Sequence, residues 1–330
     1  MSTTLSQLAV RPSAGDEFAA AIDAYRRDVI LLCYRFLGSI ADAEEAAQET
    51  ALRAWRARDR FRGEASLRTW LHRIAVRVCL DLLRSRRGRV LPASVRPASD
   101  PGAAPEAALT EVPWLEPIPD AVFAGVAHDP AARYDLRESV SLAFIAALQS
   151  LPARQRAVLL LRDVLGWQAT ETAAALYMSV PAANSALHRA RVSMRATHHV
   201  TGLAAVPDRP PSDAIARRLL DAYVRAWAAD DVAALLATMR EDVRLAMPPS
   251  PTWFDGKPAL EVAFRDWIFG PLRPPSGYRL APAFANGQPA ALFGPAEAPS
   301  WDGVQLIDLD ARGRVSRVTV FLNPGLAARF

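Results

Sequence analysis

Apolar residues recur with helical spacing over the first two thirds of the chain and with alternating spacing towards its end. Phe18, Ile22, Tyr25, Val29, Leu32 and Phe36 are separated by fours and threes, which predicts one amphipathic helix ended by Gly38. Asp42 is expected to cap a second helix, DAEEAAQETALRAW, acidic at its start and arginine-bearing at its end, as the helix dipole favours. A third stripe, Leu67, Leu71, Ile74, Val78 and Leu82, carries Arg68, Arg73, Arg77 and Arg84 between its apolar positions, and RSRRGR at 84–89 closes this first body.

Helical periodicity returns after residue 135. LPARQRAVLLLRDVLGW, QATETAAALY and SVPAANSALHRARVSMR are three short segments with tight junctions at Gly166 and near Met178–Ser179, the pattern of a helix-turn-helix. Ser179 is placed to cap the last segment, and Pro181 is tolerated in its first turn. Val180, Ala183, Leu187, Ala190 and Met194 form the inward stripe, leaving Asn184, Ser185, His188, Arg189 and Arg191 outward. Amides, hydroxyls and guanidinium forks on one face match base edges and phosphates in a major groove. A helical bundle with a solvated face gives the same pattern, so the periodicity alone leaves both open.

The last body reads as α+β. Ile215, Leu219, Ala222 and Ala226, then Val232, Leu235, Leu236 and Met239, then Leu260, Phe264 and Trp267 are helical stripes. Alternating runs follow at 243–247, 278–285, 290–293, 303–309 and 314–322. The bodies are 15–90, 136–200 and 212–330. Residues 91–135 hold 8 of the 26 prolines and no sustained period, a linker composition. Within it WLEPIPD, at 114–120, has three apolar side chains that are costly to leave in water and is expected to dock on a neighbour. PDRPPSD at 207–213 marks a second break.

Composition narrows the classes. With 330 residues, 51% hydrophobic and 22% charged, the chain is neither disordered, collagenous nor a disulfide scaffold. Cys33 and Cys79 sit in apolar helical stretches, and the five histidines have no ligand spacing, so no metal or cofactor is expected. The start lacks a basic region followed by an apolar run, and no uncharged stretch nears the ~18 residues that span a bilayer. A cytoplasmic protein without a membrane partner is therefore expected. The net charge of +4 conceals a strong segregation: residues 51–90 carry 12 arginines against 3 acids, 91–135 carry 2 against 7, 136–200 carry 7 against 3, and 201–330 balance. Lys257 is the only lysine, so nearly all cations are arginines, the side chain best shaped for phosphates and base stacking. Two basic blocks around an acidic insert form a nucleic-acid-like distribution.

DAEEAAQET at 42–50, FRGEASLRTWLHRIAVRVCLDLLRSRR at 61–87 and LPARQRAVLLLRDVLGW through NSALHRAR at 151–191 resemble the extracytoplasmic-function sigma factors, relatives of the bacterial transcription-initiation subunit. The Pro-rich insert with WLEPIPD, together with ANGQPA and VTVFLNPGLAARF, resembles the subgroup ending in a SnoaL-like (polyketide-cyclase-like) domain. The resemblance implies two all-α sigma domains, region 2 and a region 4 helix-turn-helix, followed by an α+β cone of the SnoaL and nuclear-transport-factor type. It implies core RNA polymerase and promoter DNA as partners, with an anti-sigma protein or a small ligand of the last domain as further candidates. By resemblance Asp42, Glu44, Glu45, Gln48 and Glu49 match the part that binds the polymerase clamp helices. Arg62, Ser66, Arg68, Thr69, Trp70, Arg73 and Arg77 match the part that recognises and opens the minus-ten element, where an aromatic and guanidinium groups can receive unstacked bases. The outward residues of 180–195 match the minus-thirty-five reader. Arg77, His72 and Ala183 depart from residues common in the family, which bears on promoter sequence rather than role.

Met247, Trp253, Phe254 and Trp267, with Trp301, are candidates to line an apolar pocket in the last domain, although such residues equally form core. Asp255, Asp266 and Asp302 are available for acid–base work, but no histidine follows His199 and no base–partner pair is visible, so a non-enzymatic, modulating domain is expected. The competing class is a DNA-binding regulator or ligand-responsive enzyme with a helix-turn-helix arm. The acidic helix followed by FRGEASLRTWL separates the two, since a simple regulator needs neither a clamp contact nor a strand-opening segment.

Overall fold

A computed structural model describes residues 14–126, 130–200 and 213–330. Apart from Asp213, the break expected at 207–213 lies outside the described residues. Among the described residues no helix is long and apolar enough to cross a membrane.

The first body comprises α1 (Ala14–Asp23), α2 (Arg26–Leu37), α3 (Ile40–Arg56) and α4 (Leu67–Leu83). The single helix expected over Phe18–Phe36 is thus broken: Tyr25, at φ −98° and ψ 3°, ends the continuity, and Phe18 packs on Phe61 and Trp70 at 6.3 Å between ring centroids. Gly38 closes α2 in the left-handed region (φ 68°) with its N–H on the Tyr34 carbonyl. The cap of α3 is Ser39 rather than Asp42: its hydroxyl accepts from the Asp42 N–H, which puts Asp42 in the first turn. Every residue of α2 from Val29 to Leu37 is buried, because α3 and α4 pack on one side and α5 (Asp120–Phe123) and α7 (Leu142–Gln149) on the other. Cys33 and Cys79, 46 positions apart, meet inside this core; burial, then the neighbouring Cys33, push the Cys79 thiol well up.

The second body contains α6 (Pro130–Val140), α7, α8 (Ala153–Leu159), α9 (Ala169–Ala175) and α10 (Val180–Val200). α8 runs into a π-helical turn over Leu160–Val164 before Gly166 (φ 68°) reverses the chain. Gln168 and Glu171 form a capping box on α9, and the Ser179 hydroxyl accepts from the Ala182 N–H at the start of α10.

The third body opens with α11 (Asp213–Ala228) and α12 (Val232–Ala237) and continues into β1 (Met239–Ala246), β2 (Trp253–Asp255), α13 (Lys257–Ala263), β3 (Tyr278–Ala285), β4 (Gln288–Pro295), β5 (Gly303–Leu309), β6 (Val315–Phe321) and α14 (Pro324–Ala327). The sheet order is β2-β1-β6-β5-β4-β3, antiparallel except where β1 lies parallel to β6, with register shifts in β1 and β5. Helices first and one sheet later is the α+β arrangement expected. One face of the sheet closes its own core: Val243, Leu245, Phe293, Ile307, Val318 and Val320 pack with Tyr223, Trp227 and Phe264. The opposite face is apolar over β4, β5 and the end of β6, and carries Arg244, Arg317 and Thr319 elsewhere. Leu292, Val304, Leu306 and Phe321 join the core of the two helical bodies. Cover on both faces buries almost every residue of β4, β5 and β6, including the polar Gln305, Arg317 and Thr319.

Residues 91–126 do not hang free. Val90 and Leu115 exchange backbone hydrogen bonds with the opposite strand segment (Val90 N–H to Pro113 O and Leu115 N–H to Val90 O, 3.0 Å each). Trp114, Leu115 and Ile118 are buried, so the expected docking of WLEPIPD is what the structure has. Upstream, the Ser99 N–H donates to the Trp253 carbonyl, Leu109 to Pro249, and the indoles of Trp253 and Trp267 donate to Arg96 and Pro101. Region by region, the linker is strapped to the sheet domain and then threaded between the helical bodies.

All three bodies meet at the β3–β4 turn. Asn286 and Gly287 take φ of 54° and 70°, the left-handed pair that a two-residue hairpin turn requires. Asn286 is fully buried. Its amide donates to the Tyr34 hydroxyl (2.8 Å) and the Val140 carbonyl (2.6 Å), its Oδ1 accepts from the Ile118 N–H (2.9 Å), and its own N–H donates to the Ile118 carbonyl (2.9 Å). Tyr34 in turn donates to the Glu116 carbonyl at 2.8 Å. The Gly287 N–H donates to Asp120 Oδ1 at 2.8 Å. Burial pushes the Asp120 carboxyl up to about 6, opposed by that N–H and by Arg137.

Asn286→Ala should strand Tyr34, Val140 and Ile118 at a cost of about 1–3 kcal/mol for each buried group left unpaired. A lowered melting temperature and faster proteolysis within 91–126 are the expected readouts; unchanged protection would refute the role of this turn. For Asp120, the raised value means that the docked state holds the proton more firmly than the undocked one, whose carboxyl titrates near 3.8. Docking is therefore strongest below about pH 4 and weakens as pH rises through about 6, by at most ~3 kcal/mol. Linker protection measured from pH 5 to 8 should fall with pH, and Asp120→Asn should flatten the profile.

Candidate nucleic-acid interface

The outward face of α10 is as the sequence implies: Asn184, Ser185, His188, Arg189 and Arg191 are exposed, while Ala183, Ala186, Leu187, Ala190 and Met194 are buried against α7, α8 and α9. Arg191 is anchored by a two-pronged ion pair to Asp163 (Nε–Oδ2 3.0 Å, Nη2–Oδ1 2.7 Å), which fixes its guanidinium beside the π-turn that ends α8.

The residues of α4 and its approach divide into several environments. Arg62 is exposed. Ser66 is the cap of α4, accepting from the Thr69 N–H at 3.1 Å, and its hydroxyl pairs with that of Thr69 at 2.9 Å. Arg68 is bidentate on Asp28 (2.7 and 3.0 Å), and His72 Nε2 lies 2.7 Å from the same carboxylate. Burial works against the charge on Asp28, but the hydrogen bonds from His72 and Arg68 hold its carboxyl far below the usual range. Trp70 is half-buried in an aromatic cluster with Phe61 (5.2 Å) and Phe18. Arg73 and Arg77 face the second body. Arg73 lies 5.8 Å over the Trp167 ring and Arg77 4.9 Å over the Tyr177 ring. Tyr177, in the turn between α9 and α10, is 75% exposed and has φ of 52°, an unusual conformation for an aromatic residue.

The acidic helix α3 is likewise engaged. Asp42 pairs with Arg86 (2.8 Å) and Arg89 (2.5 Å), Glu44 with Arg329, and Glu49 with Arg53 (2.7 Å). Glu45 is 3.8 Å from Arg86, and Gln48 is exposed. Between α3 and α4 lies an open groove of ≈ 400 Å³, with Glu45, Gln48, Glu49, Leu52 and Asp81 along it. Leu52, 45% exposed, lines it beside Arg53, which pairs with Glu49 and Asp81.

Two arginines that sequence reasoning passed over tie the helical bodies together. Arg35 of α2, buried, donates to the Ser139 carbonyl (3.2 Å) and hydroxyl (2.6 Å). Arg156 of α8, also buried, reaches back to the Phe36 carbonyl and to Gln149 Oε1 (2.9 Å), Gln149 O (3.0 Å) and Leu151 O (3.2 Å). Desolvation lowers both guanidinium groups to about 10. Their position inside otherwise apolar runs, VILLCYRFL and ARQRAVLLL, is the signal that could have singled them out.

The pocket candidates of the last body do not form one lining. Met247 and Phe254 are buried in the core on the inner face of the sheet. Trp253 and Trp267 turn towards the linker that their indoles bind. Successive residues of a strand face opposite ways, which separates Trp253 from Phe254. Trp301 stacks under Arg279 at 3.8 Å. Asp255 is paired with Arg244 at 2.9 Å.

Comparison with known proteins gives a consistent picture. The Sigma-70 region 2 model matches residues 21–89 and the Sigma-70, region 4 model matches residues 141–194. The ECF RNA polymerase sigma factor SigG of Mycobacterium tuberculosis is 42% identical over 321 residues, covering 95% of this chain and 83% of SigG. The ECF RNA polymerase sigma factor SigE of Mycolicibacterium smegmatis is 32% identical over 167 residues, 51% of this chain and 56% of its own length. In fold, the crystal structure of the M. tuberculosis extracytoplasmic function sigma factor SigJ superposes with a TM-score of 0.58 at 21% identity, over 94% of this chain and 98% of SigJ.

Were Arg77 to contact nucleic acid, its stacking on Tyr177 would compete with that contact. Tyr177→Ala removes one cation–π contact worth about 0.5–1 kcal/mol, so the chain should bind a single-stranded oligonucleotide about two- to fivefold more tightly by fluorescence anisotropy. Weaker binding would show instead that Tyr177 is itself a nucleic-acid contact.

Proposed function

The chain belongs to the family of ECF RNA polymerase sigma factors, transcription-initiation subunits that act with core polymerase at promoter DNA, and on that footing we propose how its parts share the work. The α3–α4 groove, with Glu45, Gln48 and Glu49 around exposed Leu52, is the surface for the polymerase clamp helices: an apolar centre with a carboxylate rim suits a basic, amphipathic partner. Arg62, Arg73, Arg77 and Trp70 serve the minus-ten element, the guanidinium groups neutralising backbone and the aromatic cluster receiving an unstacked base. Ser66, Thr69 and Arg68 position that segment, because each is bound within the protein. Asn184, Ser185, His188, Arg189 and Arg191 read the minus-thirty-five element. Work beside the polymerase places the protein in the cytoplasm.

The C-terminal body modulates this activity by contact rather than by catalysis. The observation that carries this reading is the joint burial of Asn286, Ile118, Tyr34 and Val140, which links the sheet to the linker and both helical bodies at one point. A size argument supports it. Elements about 25 base pairs apart are separated by about 85 Å of duplex, whereas a compact chain of this length is only about 50 Å across. Arg73 and Arg77 also rest on rings of the second body. The compact arrangement is therefore an off-promoter form, and initiation requires the second body to leave the first.

Run-off transcription with purified core polymerase tests both parts. The full-length chain should direct specific transcripts, and a chain cut after about residue 205 should give more of them from the same start sites. Transcripts no different from core alone would refute promoter direction; equal output from both chains would refute modulation by the last body.

A further inference from the structure

A cavity between the bodies lies on the outer face of the sheet rather than in its interior. It is a cavity of ≈ 180 Å³ bounded by the 88–94 segment, by Gln149 and Ser150 at the end of α7, and by β1, β2 and β6. An apolar cavity of about 150 Å³ is enough to hold a benzene ring. Of the fourteen residues around this one, three are arginines, Arg89, Arg244 and Arg317, and none is acidic.

Arg244 and Arg317 are direct partners in the parallel β1–β6 register, so two guanidinium groups start side by side on one face of a sheet. Like charges so paired are destabilising. Their carboxylate partners stand outside the lining: Asp255 holds Arg244 at 2.9 Å and Asp308 holds Arg317 at 3.6 Å. Arg89 approaches from the linker side, braced by Asp42 and by the Trp114 carbonyl at 2.7 Å. The remaining wall is apolar or small, with Val90, Leu91, Ala146, Ala246 and the Trp253 ring, over which Arg244 lies at 5.5 Å.

We infer that this cavity is a binding site for a small organic anion, a carboxylate carrying one aromatic ring or a short apolar chain. The carboxylate would sit among Arg89, Arg244 and Arg317, with the apolar body against Leu91, Ala246 and Trp253. Because the walls come from the first body, the linker, α7 and the sheet, an occupant holds the compact arrangement together and lowers transcription. That regulatory consequence rests on the modulating role proposed above, whereas the site itself does not.

Benzoate is the probe, with benzamide as its uncharged counterpart and inorganic phosphate as an anion lacking an apolar body. Calorimetric titration of the full chain should give saturable one-to-one binding of benzoate, with benzamide and phosphate weaker by about tenfold or more. Ala246→Phe, which fills the cavity, and Arg244→Gln, which removes one cation, should each weaken benzoate by a similar factor, and Arg279→Gln on the Trp301 side should leave it unchanged. Near-ultraviolet circular dichroism and the melting temperature establish that each variant is folded. Equal binding of benzoate and benzamide, binding undiminished in folded Ala246→Phe, or no saturable binding at millimolar benzoate would overturn the site. Benzoate that binds but leaves both linker proteolysis and run-off output of the full chain unchanged would overturn the coupling alone.

Discussion

Everything in the compact form converges on one carboxamide. Asn286 sits at a turn whose left-handed backbone admits few residues besides asparagine and glycine, and the same side chain then spends both donors and its acceptor on three other parts of the chain. A hairpin tip is normally a solvated end. Here it is the meeting point of α2, the WLEPIPD segment and the end of α6, and each of those elements depends on it to satisfy a buried polar group. Moving the sheet by even a few ångströms breaks all of these bonds together, so the arrangement behaves as closed or open, with little between.

The contact between the helical bodies has an energetic character suited to such a choice. Arg35 and Arg156 each cross from one body to the other and bond neutral oxygens rather than carboxylates. A guanidinium buried among carbonyls is held by good geometry but regains hydration when released. The apolar surface buried around it pulls the opposite way. The two tendencies offset each other, and the interface can be specific in register without being permanent.

Much of this was legible in the sequence, and the failures have physical causes. The inward stripe of α10 and its polar outer face were readable because a helix on a small bundle alternates solvent and core every three or four residues. Five of the six strands were located from their alternation, which does not reveal burial on both faces; the short β2 was missed because three residues carry no period. The break at Tyr25 was not readable, because no glycine, proline or capping residue marks it. Asp42 was mistaken for a cap since the hydroxyl that does the capping, Ser39, precedes the acidic run. Asn286 and the pairs Arg73–Trp167 and Arg77–Tyr177 join positions separated by about a hundred residues or more, and a single sequence carries no trace of such meetings. The site residues rest on the family resemblance, while the binding of Ser66, Thr69 and Arg68 within the protein is visible only in the structure.

The two-faced sheet has a consequence for the life of the molecule away from its template. Undocking of the sheet would strip the cover from Leu292, Val304, Leu306 and Phe321 and expose an apolar patch on a β-surface. A patch of that kind is sticky and invites self-association. In the proposed scheme the closed form would thus also shield the protein's own stickiest surface. An open molecule that finds no host is the species a cell's proteases and aggregation would remove first, so the lifetime of the active state is tied to the supply of what it is meant to join.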